Sequence, residues 1–145
     1  MKKSASVGAR INHQQLLQTS RHCTRLVEAY RDQVLTQKTR TIPLLGRKAA
    51  AKIMHTLLGF EVQASYKRIQ CPDMATARYL RLFSELGCHS IKLPYDPTHT
   101  EKLIPKFEAM LEGVKEEIRE AFPGDPATQR YVIRKIYAVI RRDLA

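Results

Sequence analysis

The sequence predicts an α+β domain that is predominantly helical, with about five helices and a small two-stranded sheet formed by a central β-α-β unit. Apolar residues recur at helical spacing over most of the chain. Within residues 60–70 the rhythm changes to alternation, with Phe60, Val62, Ala64 and Tyr66 set against Glu61, Gln63, Ser65 and Lys67. Proline, glycine and aspartate then punctuate the chain at Cys71-Pro72-Asp73, Pro94-Tyr95-Asp96-Pro97 and Pro123-Gly124-Asp125-Pro126. A length of 145 residues fits one domain large enough to bury a core. Residues 1–10 read as a flexible basic arm and 11–145 as the single compact domain.

Each element has its own signal. From residue 12 to 38, Leu16, Cys23, Val27, Tyr30 and Val34 form a near-heptad stripe, widened by Leu26 and Leu35, which predicts a long amphipathic helix. Pro43 disfavours helical geometry at Ile42 and ends that stretch. A second helix is expected after Gly46, with Ala49, Ala50, Ile53, Met54 and Leu57 buried and Gly59 as its terminator. The alternating strand follows. Asp73 then suits the N-cap of a helix running to Leu86, with Gly87 at its stop. Ser90 to Leu93 is the second strand. Thr98 and Glu101 have capping-box spacing, but Pro105 places the start of the next helix near Ile104. Asp125-Pro126 is an N-cap and N1 pair for a last helix carrying Ile133, Ile136, Tyr137 and Ile140.

A helix between the two strands makes them parallel, so their carboxyl ends would lie side by side. That arrangement gathers Cys71, Asp73, Tyr95, Asp96 and Thr98 in a strand-end pocket, the usual ligand position of an open α/β sheet. A thiol, two carboxylates and a phenol support acid–base or nucleophilic chemistry in principle. Helix capping and turn formation account for the same aspartates and threonine. No histidine stands at a diagnostic general-base spacing, and no glycine-rich cofactor loop is present. The catalytic set is therefore empty, and no cofactor is predicted. Cys71, Cys88, His89, His99, Cys23 and His22 lack metal-ligand spacing, so no metal is predicted either.

Charge carries the functional signal. The chain has 25 Lys+Arg against 14 Asp+Glu, a formal net charge of +11. Residues 1–58 hold eleven cations and two acids, whereas residues 59–145 hold fourteen and twelve. A one-sided cationic field attracts polyanions, nucleic acid foremost. The predicted phosphate contacts are Arg21, Arg25, Arg40, Arg47, Lys48 and Lys52, with Arg134 and Arg141 as a second patch. Tyr66, Tyr79 and Tyr131 stand beside cations, the composition used to stack unpaired bases, although tyrosines at helical spacing more often serve the core. Gly46-Arg47-Lys48 does not form a P-loop.

The chain thus reads as a small, basic, non-enzymatic nucleic-acid-binding protein, with RNA slightly ahead of DNA. The alternative is an adaptor or regulatory subunit that binds an acidic protein partner through the same cations. The third reading is a small enzyme or ligand-binder that uses the strand-end pocket. Self-association through the long first helix stays open. Three widely spaced cysteines fit a reducing compartment, the cytoplasm first. The acid-free, Arg- and Ser-bearing residues 1–27 also have the composition of an organellar transit segment, which keeps an organellar matrix in view. No run approaches the ~18 apolar residues of a membrane span. The acidic helix around Glu108–Glu120 raises one further question: whether it folds against the basic half and masks it.

Overall fold

The computed structural model describes residues 21–145. Helix α1 (Arg21–Ala29) runs on as a π-helical turn (Tyr30–Val34), followed by β1 (Thr39–Pro43), β2 (Ala51–Thr56), β3 (Gly59–Ala64) and β4 (Lys67–Cys71). Then come α2 (Met74–Leu86), β5 (Ser90–Pro94), α3 (Pro97–Ala121) and α4 (Pro126–Leu144). The class is α+β: among the described residues, four helices accompany a two-stranded and a three-stranded antiparallel sheet. The basic arm and the first part of the predicted long helix lie outside the described residues.

The capping chemistry sets three helix starts. Asp73 accepts the Thr76 amide at 2.7 Å, Asp96 accepts that of Thr98 at 3.0 Å, and Asp125 accepts that of Thr128 at 3.1 Å. Helix α3 begins at Pro97, one turn and more before the predicted start near Ile104. Pro105 is tolerated inside it because Glu101, Lys102, Pro105 and Lys106 are exposed, so the carbonyl left without a donor faces water. The stripe of Cys23, Leu26, Val27, Tyr30 and Val34 is buried in the core of this same chain. The helix it belongs to closes at Val34.

The segment after Gly46 is not a helix. Residues 51–56 form a strand paired with β3 through Ile53↔Val62 and Ala51↔Ala64, and Leu57 and Leu58 make an exposed two-residue turn. A helix there would have left β3 and β4 as an isolated hairpin, which is marginal in water, whereas a third strand with an apolar face is stable. Gly59 opens β3 at φ 126°, and a Cβ there would lie 2.9 Å from the Cys71 carbonyl. The predicted single strand over residues 60–70 is two strands, reversed at Ser65 and Tyr66.

The predicted β-α-β unit is also corrected. Strand β5 pairs antiparallel with β1, from Thr39↔Pro94 to Pro43↔Ser90, and β4 pairs only with β3. The competing strand β1 is a five-residue segment that reads in sequence as the break after a helix. Two buried tyrosines then secure the non-β1 side of β5: the Tyr30 hydroxyl accepts the Lys92 amide at 3.1 Å, and the Tyr79 hydroxyl donates to the Lys92 carbonyl at 2.6 Å. Tyr30, Tyr79, Phe83 and Phe107 form one aromatic cluster, with centroid separations of 4.8–6.1 Å, at the junction of α1, α2 and α3.

Cys23, Cys71 and Cys88 are all buried free thiols. Burial, reinforced at Cys71 by Asp73 and partly offset at Cys88 by Arg141, pushes the Cys71 and Cys88 thiols up to about 11 from 9.0. Burial likewise raises Tyr30, Tyr79 and Tyr137 above 10.0. The unfolded chain therefore loses these protons first, and stability that is intact below about pH 9 drains as pH rises toward 11. Urea unfolding should show a level free energy from neutral pH to the onset, then a fall of up to about 1.4 kcal/mol per pH unit for each thiol. A profile that stays level through the whole range would contradict the burial of both thiols.

Candidate nucleic-acid interface

The cationic face begins with the segment that leaves β1. The Leu44 amide donates to the His89 carbonyl at 2.8 Å and the Gly46 amide to that of Cys88 at 3.1 Å, so the β1–β5 pairing is prolonged past Pro43. This draws Arg47 and Lys48 across the C-terminus of α2. Gly87 lies beneath them at φ +86°, where a Cβ would stand 2.5 Å from the Lys48 nitrogen. Arg141 from α4 reaches the same spot and donates to the Leu86 carbonyl at 2.6 Å, satisfying an end group of α2.

Helix α4 supplies the other wall. Lys48, Arg130 and Arg134 line a groove of about 400 Å³ floored by Ala127 and Ile133. Arg130 and Arg134 are one helical turn apart and both exposed. The Lys48 ammonium lies 6.0 Å from the centroid of Tyr137, whose buried ring is the wall behind it. A neighbouring hollow of about 440 Å³ is bordered by Gly46, His89, Arg141 and Arg142. Lys48 and Arg134, predicted in separate patches, share the groove, and the Arg47-Lys48 backbone meets the Arg141 guanidinium at Gly87.

The acidic cluster of α3 is largely paired elsewhere. On α3, Glu108 pairs with Arg78 and, at 3.6 Å, with Arg81 of α2. Glu112 and Glu116 hold Arg119 at 3.0 and 2.5 Å, Glu85 holds Lys115 at 2.9 Å, and Glu117 meets His22 at 3.3 Å. The hydrogen bonds to Glu108 raise the Arg78 guanidinium further above its ordinary value. Asp125, at the start of α4, is drawn below the usual carboxylate range by the Thr128 hydroxyl and amide that it accepts. Among the described residues, no carboxylate lies within ion-pair distance of Arg47, Lys48, Arg130 or Arg134. The acidic helix leaves this face unmasked.

The remaining predicted contacts are dispersed. Arg25 is exposed on α1, Arg40 on β1, and Lys52 on β2 opposite Gln63. Arg21 opens α1, and its side chain lies outside the description. Of the predicted stacking residues, Tyr66 is 80% exposed at the β3–β4 turn, and Tyr131 is half-buried with the Lys135 ammonium 5.4 Å from its ring centre. Tyr79 is corrected: it is 0% exposed, sits in the aromatic cluster and spends its hydroxyl on Lys92. Arg130, which its spacing places on one face with Arg134 and Arg141, joins Arg134 in the groove.

The strand-end pocket is not assembled, because the parallel pairing that defined it does not occur. Cys71 is fully buried at the end of β4, and Asp73 and Asp96 each cap a different helix. Tyr95 is exposed beneath the Lys38 ammonium, 5.5 Å from its ring centre. Among the described residues no group of three or more His, Cys, Asp or Glu side chains is placed to hold a metal ion, and no helix is long and apolar enough to cross a membrane.

The face depends on the close approach at Gly87. Replacing Gly87 by Ala should cost about 2 kcal/mol or more in urea unfolding, from the left-handed backbone and the collision with the Lys48 amide. An Ala variant as stable as the parent would show that the Arg47-Lys48 segment does not lie against α2. No protein-family model, no curated protein and no solved structure matches the chain.

Proposed function

We propose that this chain is a small, non-enzymatic nucleic-acid-binding protein that reads phosphate through the face built from residues 46–48 and α4. The supporting observation is the allocation of charge. On α3, Glu108, Glu112 and Glu116 are taken up by arginines of α2 and α3 and Glu117 meets His22, while the Lys48, Arg130 and Arg134 side chains converge on one groove without a carboxylate partner among the described residues. Three such cations displace counterions from a phosphate backbone, which gives affinity that falls with salt and little sequence preference. RNA stays ahead of DNA because cations and an exposed aromatic ring occur together, as at Tyr66 beside Lys67 and Arg68. A reducing compartment, the cytoplasm or an organellar matrix, agrees with three buried free thiols.

The test compares unpaired with paired cations. In a salt series on labelled RNA, replacing Lys48, Arg130 and Arg134 together by Gln should lower affinity and reduce the log–log salt slope by about 2 on single strands. Replacing Arg119 by Gln should leave both unchanged, since that side chain already serves Glu112 and Glu116. Equal effects of the two variants would refute a localised phosphate face. Failure of the parent protein to bind any nucleic acid at low salt would transfer the same cations to an acidic protein partner.

A further inference from the structure

The sequence motif Arg78-Tyr79-Leu80-Arg81 keeps its cations at the surface but loses its ring to the core. Another ring pair stands beside those cations. His55 and Phe60 face each other across the β2–β3 ladder and stack, with centroids 4.9 Å apart and planes 13° from parallel. Phe60 is half-buried and packed against the core, whereas His55 is exposed, so the imidazole is the outer layer of the stack. Opposite lies one stripe of α2, Met74, Arg78 and Arg81, at spacings of four and three residues. The two surfaces enclose a cleft of about 460 Å³ lined by Ile53, His55, Phe60, Met74, Arg78 and Arg81.

The chemistry of the cleft is two-part. Its floor is apolar and carries a flat aromatic platform fixed from below by Phe60. Its rim holds two guanidinium groups that share a single carboxylate, Glu108, so one positive charge there stays uncompensated. A planar heterocycle stacked on His55 leaves its attached phosphate to the arginine rim. We infer that this cleft receives one unpaired base of a single-stranded nucleic acid, with its phosphate at Arg78 and Arg81. The inference rests on the nucleic-acid reading above and deepens it: a duplex keeps its bases inside the stack and offers this cleft nothing.

The experiment uses the full chain with a short mixed-sequence RNA, single-stranded or as its blunt duplex, and with His55→Ala and Arg81→Gln variants. His55 is exposed, so its removal gives up only the cross-strand stack on Phe60 and should lower the melting temperature slightly at most, and Arg81→Gln keeps the Arg78–Glu108 pair. Stacking is worth about 1–3 kcal/mol per base, so His55→Ala should weaken single-strand binding by roughly five- to 150-fold. Duplex affinity and the salt slope should not move. Arg81→Gln should reduce the single-strand salt slope by about 0.7. In parallel, adenosine 5′-monophosphate titrated against the parent chain should shift the His55 ring protons saturably in NMR spectra, and inorganic phosphate alone should not. If the parent binds both RNAs and His55→Ala binds them as the parent does, the cleft assignment falls and the phosphate face stands. If the parent binds neither RNA, the phosphate face falls, and absence of a His55 response to the nucleotide then removes the cleft as well.

Discussion

The constraint on which the arrangement turns is the pair of tyrosine hydroxyls at Lys92. A two-stranded sheet is marginal by itself, since one side of each strand lacks partners and its small faces bury little apolar area. Tyr30 and Tyr79 meet the Lys92 amide and carbonyl on the side away from β1 and join β5 to two helices at once. Their rings belong to the cluster with Phe83 and Phe107, so this polar clasp is anchored in the aromatic core. The π-helical turn is part of the same device, because Tyr30 is its first residue and Val34, its last, is fully buried. With β5 fixed, β1 has a template, and the ladder continues through Leu44 and Gly46 to set Arg47 and Lys48 over Gly87.

Surface ion pairs explain little of the stability here, since exposed pairs are each worth about 0–1 kcal/mol. Their consequence is spatial. A helix that carries Glu108, Glu112, Glu116 and Glu117 would neutralise whatever basic surface it met. Helix α3 packs chiefly against α1 and α2 and less against α4, and these four acids are met by His22, Arg78, Arg81 and its own Arg119. The segment after β1 and helix α4 are thereby left with cations that no carboxylate meets among the described residues, as is also true of Arg25, Arg40 and Lys52 elsewhere. Net charge alone does not say which cations are paired; the packing of α3 decides it for Arg78, Arg81 and Arg119.

What was legible in the sequence was local. Asp73 and Asp125 sit at N-caps, and Gly87 stops α2 in the left-handed region, because capping depends on residues within one turn of each other, whereas Asp96 reads as a turn residue and yet caps α3 in place of Thr98. The alternation at Phe60, Val62 and Ala64 likewise announced a strand. What failed was non-local. Ala49 to Leu57 has apolar residues that satisfy a helical stripe, yet Ala51 and Ile53 also satisfy a strand, and β3's need for a neighbour selected the strand. Strand β1 is too short to announce itself, and with it hidden the only partner in view for β5 was the alternating strand, in the wrong orientation. The same division holds at the site. Arg134 is legible as a helix-spaced cation, whereas Lys48 reads as part of a helix that does not form, and Tyr79 belongs to the core because α2 is enclosed on most sides and leaves Met74, Ala75, Arg78, Arg81 and Glu85 at least partly open.

The proposed groove and the proposed cleft lie toward opposite ends of β2, and this separation bears on what kind of strand both could serve. Lys48 precedes β2 and His55 is near its end, so seven residues of extended chain separate them by no more than about 25 Å. At physiological ionic strength the Debye length is about 8 Å, so cations in the groove attract phosphate nearby and contribute little at the cleft. Stacking on His55 is short-ranged and largely insensitive to salt. A flexible single strand reaches both sites by adjusting its backbone between them, whereas a stiff duplex meets only the groove. The two features therefore divide the work in the proposed reading: the unpaired cations govern how salt controls affinity, and the aromatic cleft governs the preference for unpaired over paired nucleic acid.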